Sequence, residues 1–289
     1  MAAWVDSPIV SFSRGGRGVE LGRSGESPAL HLHGSTGLGL APVDIKSSER
    51  LSGDGSIVRG VRYGARDVYV PLLLSGSELS VAEARRDLTR LLAPHLGPVD
   101  VRIEDPVTGT DRMIRGYLRD GMEGDFGTDF GRSWHRLGLT FECPDPWWLG
   151  PEQIVELRVN PGSKPFISQS VPFFPVMLAQ SSVIGEFDVE ILGAGPVFPS
   201  WEVIGPGEDL VIARGSDRIE ISGAFPAGSP VLIDTASGRI TPDRWADLSL
   251  RSRLFQLEPG LQSLTVTMVG ASTDTVVRLT YRERFLEGV

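Results

Sequence analysis

The stretch Thr140-Phe-Glu-Cys-Pro-Asp-Pro-Trp-Trp-Leu-Gly150 lies at the midpoint of a chain of 289 residues. It closes a run, Trp134–Glu142, in which Leu137, Leu139 and Phe141 alternate with smaller or polar residues, the period of a half-buried strand. Pro144 and Pro146 then flank Asp145. Each proline fixes φ and removes a backbone donor, so the strand must stop there. Trp147 and Trp148 follow side by side. The stretch predicts a stiff joint made of Pro144, Asp145, Pro146, Trp147 and Trp148. It separates a first domain, residues 1–148, from a second, residues 149–289. One tryptophan ring is expected in the core of the first domain and the other against a neighbour.

On the N-terminal side of the joint, apolar residues partly alternate from Ala29 to Leu40, with His31 and His33 on the opposite face. Ile57–Tyr63 reads as a strand after a Gly53-Asp54-Gly55 turn. Val68–Leu74 is almost continuously apolar and is expected to be buried on both faces, with Pro71 marking an edge or a bulge. Ser80 followed by Glu83 has the form of a capping box. Val81, Ala84, Leu88, Leu91 and Leu92 then recur at helical spacing until Pro94 and Gly97. Val99–Glu104 and Arg112–Arg119 form a hairpin about the turn-rich Asp105–Asp111. The first half is thus a mostly antiparallel β domain with a single packed helix.

The C-terminal side carries no helical pattern. Strands are expected at Gln153–Val159, Val176–Leu178, Phe187–Leu192, Ser200–Ile204, Leu210–Ala213, Arg218–Ile221 and Pro230–Asp234. Three more are expected at Arg253–Leu257, Leu264–Val269 and Thr275–Arg284. Short strands at regular spacing, divided by Gly, Pro, Asp and Ser, predict a β-sandwich or jelly roll.

Bulk chemistry excludes several functions. The formal charge is −9, and acidic residues outnumber basic ones in both halves. That argues against counterion-release binding of nucleic acid as the main task, though not against DNA passing by an acidic lining. One cysteine, Cys143, rules out a disulfide framework and suits a reducing cytoplasm. Met1–Val10 lacks the pattern of a signal peptide, and no apolar run is long enough for a membrane helix.

No catalytic or metal motif emerges. His31 and His33 have no third ligand at motif spacing. Asp120, Glu123, Asp125 and Asp129 lie in a Gly-rich loop, without the alternate-position ligands of a calcium loop. Cys143 reads as a core thiol. Gly15-Gly16-Arg17-Gly18 matches neither glycine fingerprint of a phosphate site. Trp201 and Trp245 read first as indoles buried in a core or a subunit interface, with stacking on a sugar ring as the alternative, since an exposed indole on a sandwich can bind a sugar that way. No enzymatic activity, cofactor or metal is expected.

Several segments together resemble the distal tail proteins of long-tailed, non-contractile bacteriophages. They are Tyr69-Val-Pro-Leu-Leu-Leu74, Leu88-Thr-Arg-Leu-Leu-Ala-Pro94, Arg115–Gly124 and Leu139–Trp148, then Gly195-Pro-Val-Phe-Pro-Ser-Trp201, Leu232-Ile-Asp-Thr235 and Phe255–Gly260. The resemblance implies a β-barrel-like N-terminal domain with one helix and a galectin-like C-terminal sandwich. It further implies a homo-hexameric ring at the tail tip of the virion, assembled in the host cytoplasm. The ring would join the tail tube protein to a tail-associated fibre, hub or lysin protein. The genome would pass through its lumen without specific binding. The alternative is a virion-borne module whose sandwich recognises a host surface glycan. No inserted receptor-binding arm is visible.

Overall fold

The computed structural model describes residues 8–22, 27–124, 127–159, 176–178 and 183–289. The chain forms two compact units, Met1–Gly150 with Phe285–Val289, and Pro151–Arg284. The sequence reading placed residues 285–289 in the second domain; the structure returns them to the first. Gly288 N donates to Leu38 O and Leu286 O accepts from Arg66, so this segment is held by first-unit partners.

The first unit opens with a hairpin that the sequence reading did not foresee, β1 (Ile9–Arg14) and β2 (Arg17–Leu21). Its two-residue turn is Gly15-Gly16, both at positive φ. This conformation matches the twist of the paired strands and strains any other residue type. The glycines serve the turn and not a phosphate. Strand β3 (Ala29–His31) is shorter than the predicted run to Leu40. Strands β4 (Val43–Glu49) and β5 (Ser56–Tyr63) form a separate two-stranded ribbon, and β6 (Arg66–Ser75) follows. Helix α1 (Glu78–Leu92) begins a turn earlier than the Ser80–Glu83 signature suggested. Ser77 is its cap, its hydroxyl accepting from Ser80 N at 3.2 Å. Val81, Leu88, Leu91 and Leu92 are buried as their spacing required.

Strands β7 (Val99–Asp105), β8 (Thr110–Asp120) and β9 (Trp134–Cys143) complete the unit, with the start of β10 (Trp148–Val159). The first part of β8 pairs with β7, and Tyr117 to Asp120 pair with β9 across a bulge. Strand β8 therefore belongs to both the β2-β1-β7-β8 sheet and the β3-β6-β9 sheet. Val68, Val70, Leu72 and Leu74 of β6 face a core shared with Phe12, Phe141, Leu88 and Trp148. Tyr69 and Leu73 between them are half-buried, so β6 alternates and is not buried equally on both faces.

Pro71 also departs from expectation. It lies inside β6, opposite Gly138 of β9, and β6 is no edge. Its carbonyl accepts from Leu32, just past the end of β3, while the ladder on that side resumes only at Thr36–Tyr69. The donor that proline lacks would face the gap between those pairings.

The second unit contains the rest of β10 together with β11 (Val176–Leu178), β12 (Val183–Ile191), β13 (Ser200–Ile204), β14 (Gly207–Arg214) and β15 (Asp217–Phe225). It continues with β16 (Pro230–Asp234), β17 (Arg239–Thr241), β18 (Gly260–Val269) and β19 (Val276–Phe285). Two sheets, β17-β16-β13-β19-β10 and β12-β18-β14-β15, enclose one core. Phe187, Val189, Leu264, Val266, Leu210 and Ile212 come from one sheet, and Trp201, Val203, Ile233 and Leu279 from the other. That is the inward alternation of a sandwich. Arg253–Leu257, expected as a strand, makes only an isolated antiparallel bridge, Leu257 with Val197, although Phe255 and Leu257 are buried. The short β17 was not anticipated.

Candidate functional site

Around the midpoint stretch the first unit gathers side chains from distant parts of the chain. Trp148 is fully buried, and Gly288 packs against its indole so closely that a Cβ there would lie 2.7 Å from Cε2. Only glycine permits that approach. Arg66, itself buried, lies 5.9 Å from the Trp148 ring centroid. Its guanidinium donates to Gly37 O at 3.0 Å, Gly39 O at 2.7 Å and Leu286 O at 2.9 Å. Carbonyls thus take the place of a carboxylate, and burial lowers the Arg66 pKa from its ordinary value. Cys143, beside it, is buried and its thiol is pushed up to about 12, chiefly by desolvation. A thiol so protonated is a packing group and no nucleophile.

Of the joint residues, Trp147 takes the outer position. Its ring meets Tyr63 edge-on at 5.4 Å, and Asp145 Oδ1 accepts from Trp147 N at 3.4 Å. Tyr63 ends β5, so Trp147 braces the root of the β4–β5 ribbon.

The ribbon is the least supported element of the unit. Val43 lies opposite Tyr63, Ile45 opposite Val61 and Ser47 opposite Val58. Opposed residues share a face in an antiparallel pair, so Val43, Ile45, Val58 and Val61 form one apolar side. Asp44, Lys46 and Arg62 take the other, where Arg62 Nε and Asp44 Oδ2 are 3.1 Å apart. Yet Ile45, Val58 and Val61 are exposed at 59%, 58% and 59%. A lone two-stranded ribbon is marginal in water. Burying what remains exposed would contribute on the order of 4–6 kcal/mol per ribbon. The sequence signal was the alternation in Ile57–Tyr63; the partner strand, Val43–Glu49, is too polar to stand out.

The remaining candidates resolve individually. His31 Nε2 shares a hydrogen bond of 2.8 Å with Ser35 Oγ inside its own turn, and burial lowers its pKa. Glu123 accepts from Gly121 N, and Asp125 lies outside the described residues. Among the described residues no group of three or more metal-ligating side chains occurs. Trp201 is fully buried in the sandwich core, which overturns the stacking reading at that position. Trp245, on a short 3-10 turn, is 49% exposed.

Comparison with known proteins adds a family. Residues 193–285 match the family model described as the siphovirus-type tail component, C-terminal domain. This stretch is similar to a siphovirus-type tail component domain. Solved structures share the fold over nearly the whole length. SPP1 Dit, described as a paradigm of the hub adsorption apparatus in phages infecting Gram-positive bacteria, aligns with a TM-score of 0.57 at 18% identity. The alignment covers 88% of this chain and 93% of that one. A chain of the phage P2 baseplate in its activated conformation with Ca aligns at 0.58 and 10% identity, covering 96% and 98%. The same baseplate with Sr gives 0.57 and 10%, covering 94% and 97%. A search of the curated proteins finds no match. The matched residues lie within the second unit except for the last, Phe285, and the fold likeness extends to both units.

Proposed function

We propose that this chain is the distal tail hub subunit of a non-contractile phage tail. Copies join into a ring, six in number by analogy, that connects the tail tube to a fibre or baseplate protein and lets DNA pass through. The observation that carries this reading is the tail component match at residues 193–285, set within a fold shared with SPP1 Dit over 88% of the chain. The one-sided apolar ribbon supports the ring. Its exposed side has no cover among the described residues, and a neighbouring copy in a closed head-to-tail assembly supplies one. The protein is a structural part of the virion and not an enzyme. The outer sandwich is then a galectin-like module hung from the joint Pro144, Asp145, Pro146, Trp147 and Trp148.

Negative-stain imaging and light scattering of the purified full chain test the reading. Rings with a central hole are expected, and Val58→Asp with Val61→Asp should leave folded monomers. A wild-type protein that stays monomeric at high concentration would overturn the ring. Trp245 keeps the second reading open, a host glycan stacked on its exposed indole. A glycan array comparing wild type with Trp245→Ala decides that point, and equal or absent binding ends it.

A further inference from the structure

A groove runs along α1 between Glu78 and Arg90, and its far wall is the turn Phe130–Arg132 with His135 behind it. Backbone bonds from Gly127 N to Phe130 O (2.7 Å), Gly131 N to Trp134 O (2.8 Å) and Arg136 N to Asp129 O (3.0 Å) fix that wall to β9. Arg85, Arg86, Arg90 and Arg132 line the groove, against a single lining carboxylate, Glu78. On a chain of net charge −9 this is a local reversal of sign.

The arginines are unevenly engaged. Arg132 reaches Glu78 and Arg90 reaches Asp87, each at 3.8 Å and well exposed, a geometry worth little in water. Arg85 and Arg86 meet no carboxylate among the described residues. Elsewhere in the same unit Arg102 pairs with Asp111 at 2.6 Å and Arg115 with Asp100 at 2.7 Å. Arg85 lies over the Phe130 ring at 4.2 Å, and Phe130 packs on buried His135 with ring centroids 4.9 Å apart and planes tilted by 54°. A guanidinium held over a ring is attracted by the ring's electrons, a contact that occupies none of its N–H donors. The stack therefore holds Arg85 in place without consuming any of its donors. Arg86 and Arg90, one helical turn apart with Cβ atoms about 6 Å from each other, offer further donors.

From this geometry we infer that the α1 groove is a docking site for an acidic peptide segment of another protein. A carboxylate would be gripped in a forked pair by Arg85, with flanking acids on Arg86 and Arg90, while Val81, Ala82 and Phe130 contact the peptide's apolar atoms. Duplex DNA fits less well, because Glu78 in the groove and Asp87 at its edge would face its phosphates. The inference is independent of the tail-hub reading.

The test titrates full-length protein into fluorescein-labelled hexaglutamate at low salt, with hexalysine and a short DNA duplex as parallel probes. Selective hexaglutamate binding is expected, weakened roughly tenfold or more in Arg85→Ala/Arg86→Ala and unchanged in Arg239→Ala, which lies on β17. Melting curves check the fold. Arg86→Gln serves if loss of Arg85 unseats Phe130, since Arg86 is exposed and outside the stack. The proposal is overturned if hexaglutamate fails to bind or binds the variants as well as wild type. Tighter binding of the duplex would reassign the groove to nucleic acid. Loss of self-association in the variants would reassign it to a second copy of this chain.

Discussion

Strands β5 and β6 are neighbours in sequence, separated only by Gly64 and Ala65, and both are rich in valine and related residues. Their fates are opposite. Val68, Val70 and Leu72 are sealed in a core, whereas Val58 and Val61 on β5 leave more than half their surface in water. The same side-chain chemistry is satisfied in one strand and unsatisfied in the next. An apolar face that a chain builds but does not cover is a demand on another molecule. Strand β6 holds the unit together; β5 waits for company.

The comparison can be broken or sharpened by substitution. The largest effect is expected at the buried end: Trp148→Ala leaves a cavity between Arg66 and Gly288. It should destabilise the first unit by about 3–5 kcal/mol in chemical denaturation. Leu72→Ala should cost about 2–5 kcal/mol by the same mechanism. On the ribbon, Val58→Asp should change unfolding by less than about 0.5 kcal/mol, because the residue is exposed, yet abolish higher assemblies in light scattering. If both classes of variant unfolded the monomer alike, the contrast between the strands would be lost. Trp147→Ala should be milder, about 0.5–1.5 kcal/mol, from the lost contact with Tyr63. It should weaken assembly by freeing the ribbon root.

The smallest expected effect is electrostatic. Burial, with Arg85 adding to it, lowers the His135 pKa below its ordinary value. The folded state thus prefers the neutral ring and the unfolded state binds the proton more readily. This contribution to stability is present above about pH 6.5 and is lost as pH falls below it. Replacing His135 with Phe should flatten the decline in melting temperature between neutral and mildly acidic pH. An unchanged slope would show that other groups set it.

Much of this architecture was legible in the residues. The 3.6-residue recurrence from Val81 to Leu92 gave the helix, and period-two alternation gave β9, β18 and β19. The break between β9 and β10 was visible because Pro144 and Pro146 bracket a residue that cannot continue a strand. What escaped notice lacked a periodic apolar signal. Strand β4 is mostly polar, β17 is three residues long, and β1 and β2 hide behind a turn that first invites a phosphate-loop reading. Trp201 took the burial alternative and not stacking, a choice its residue type alone does not make, because an indole reads alike from sequence whether it faces solvent or core. The Arg85–Phe130–His135 stack was illegible for another reason. It joins a helix to a turn some 45 positions away, and no local pattern encodes that encounter.

The return of Phe285–Val289 into the first unit orders events in time. Trp148 cannot be capped, nor Arg66 given its third acceptor, until the whole second unit has emerged from the ribosome. The N-terminal half, first to be made, is last to be finished. A nascent chain therefore cannot complete the core around Trp148 before the second unit has been made.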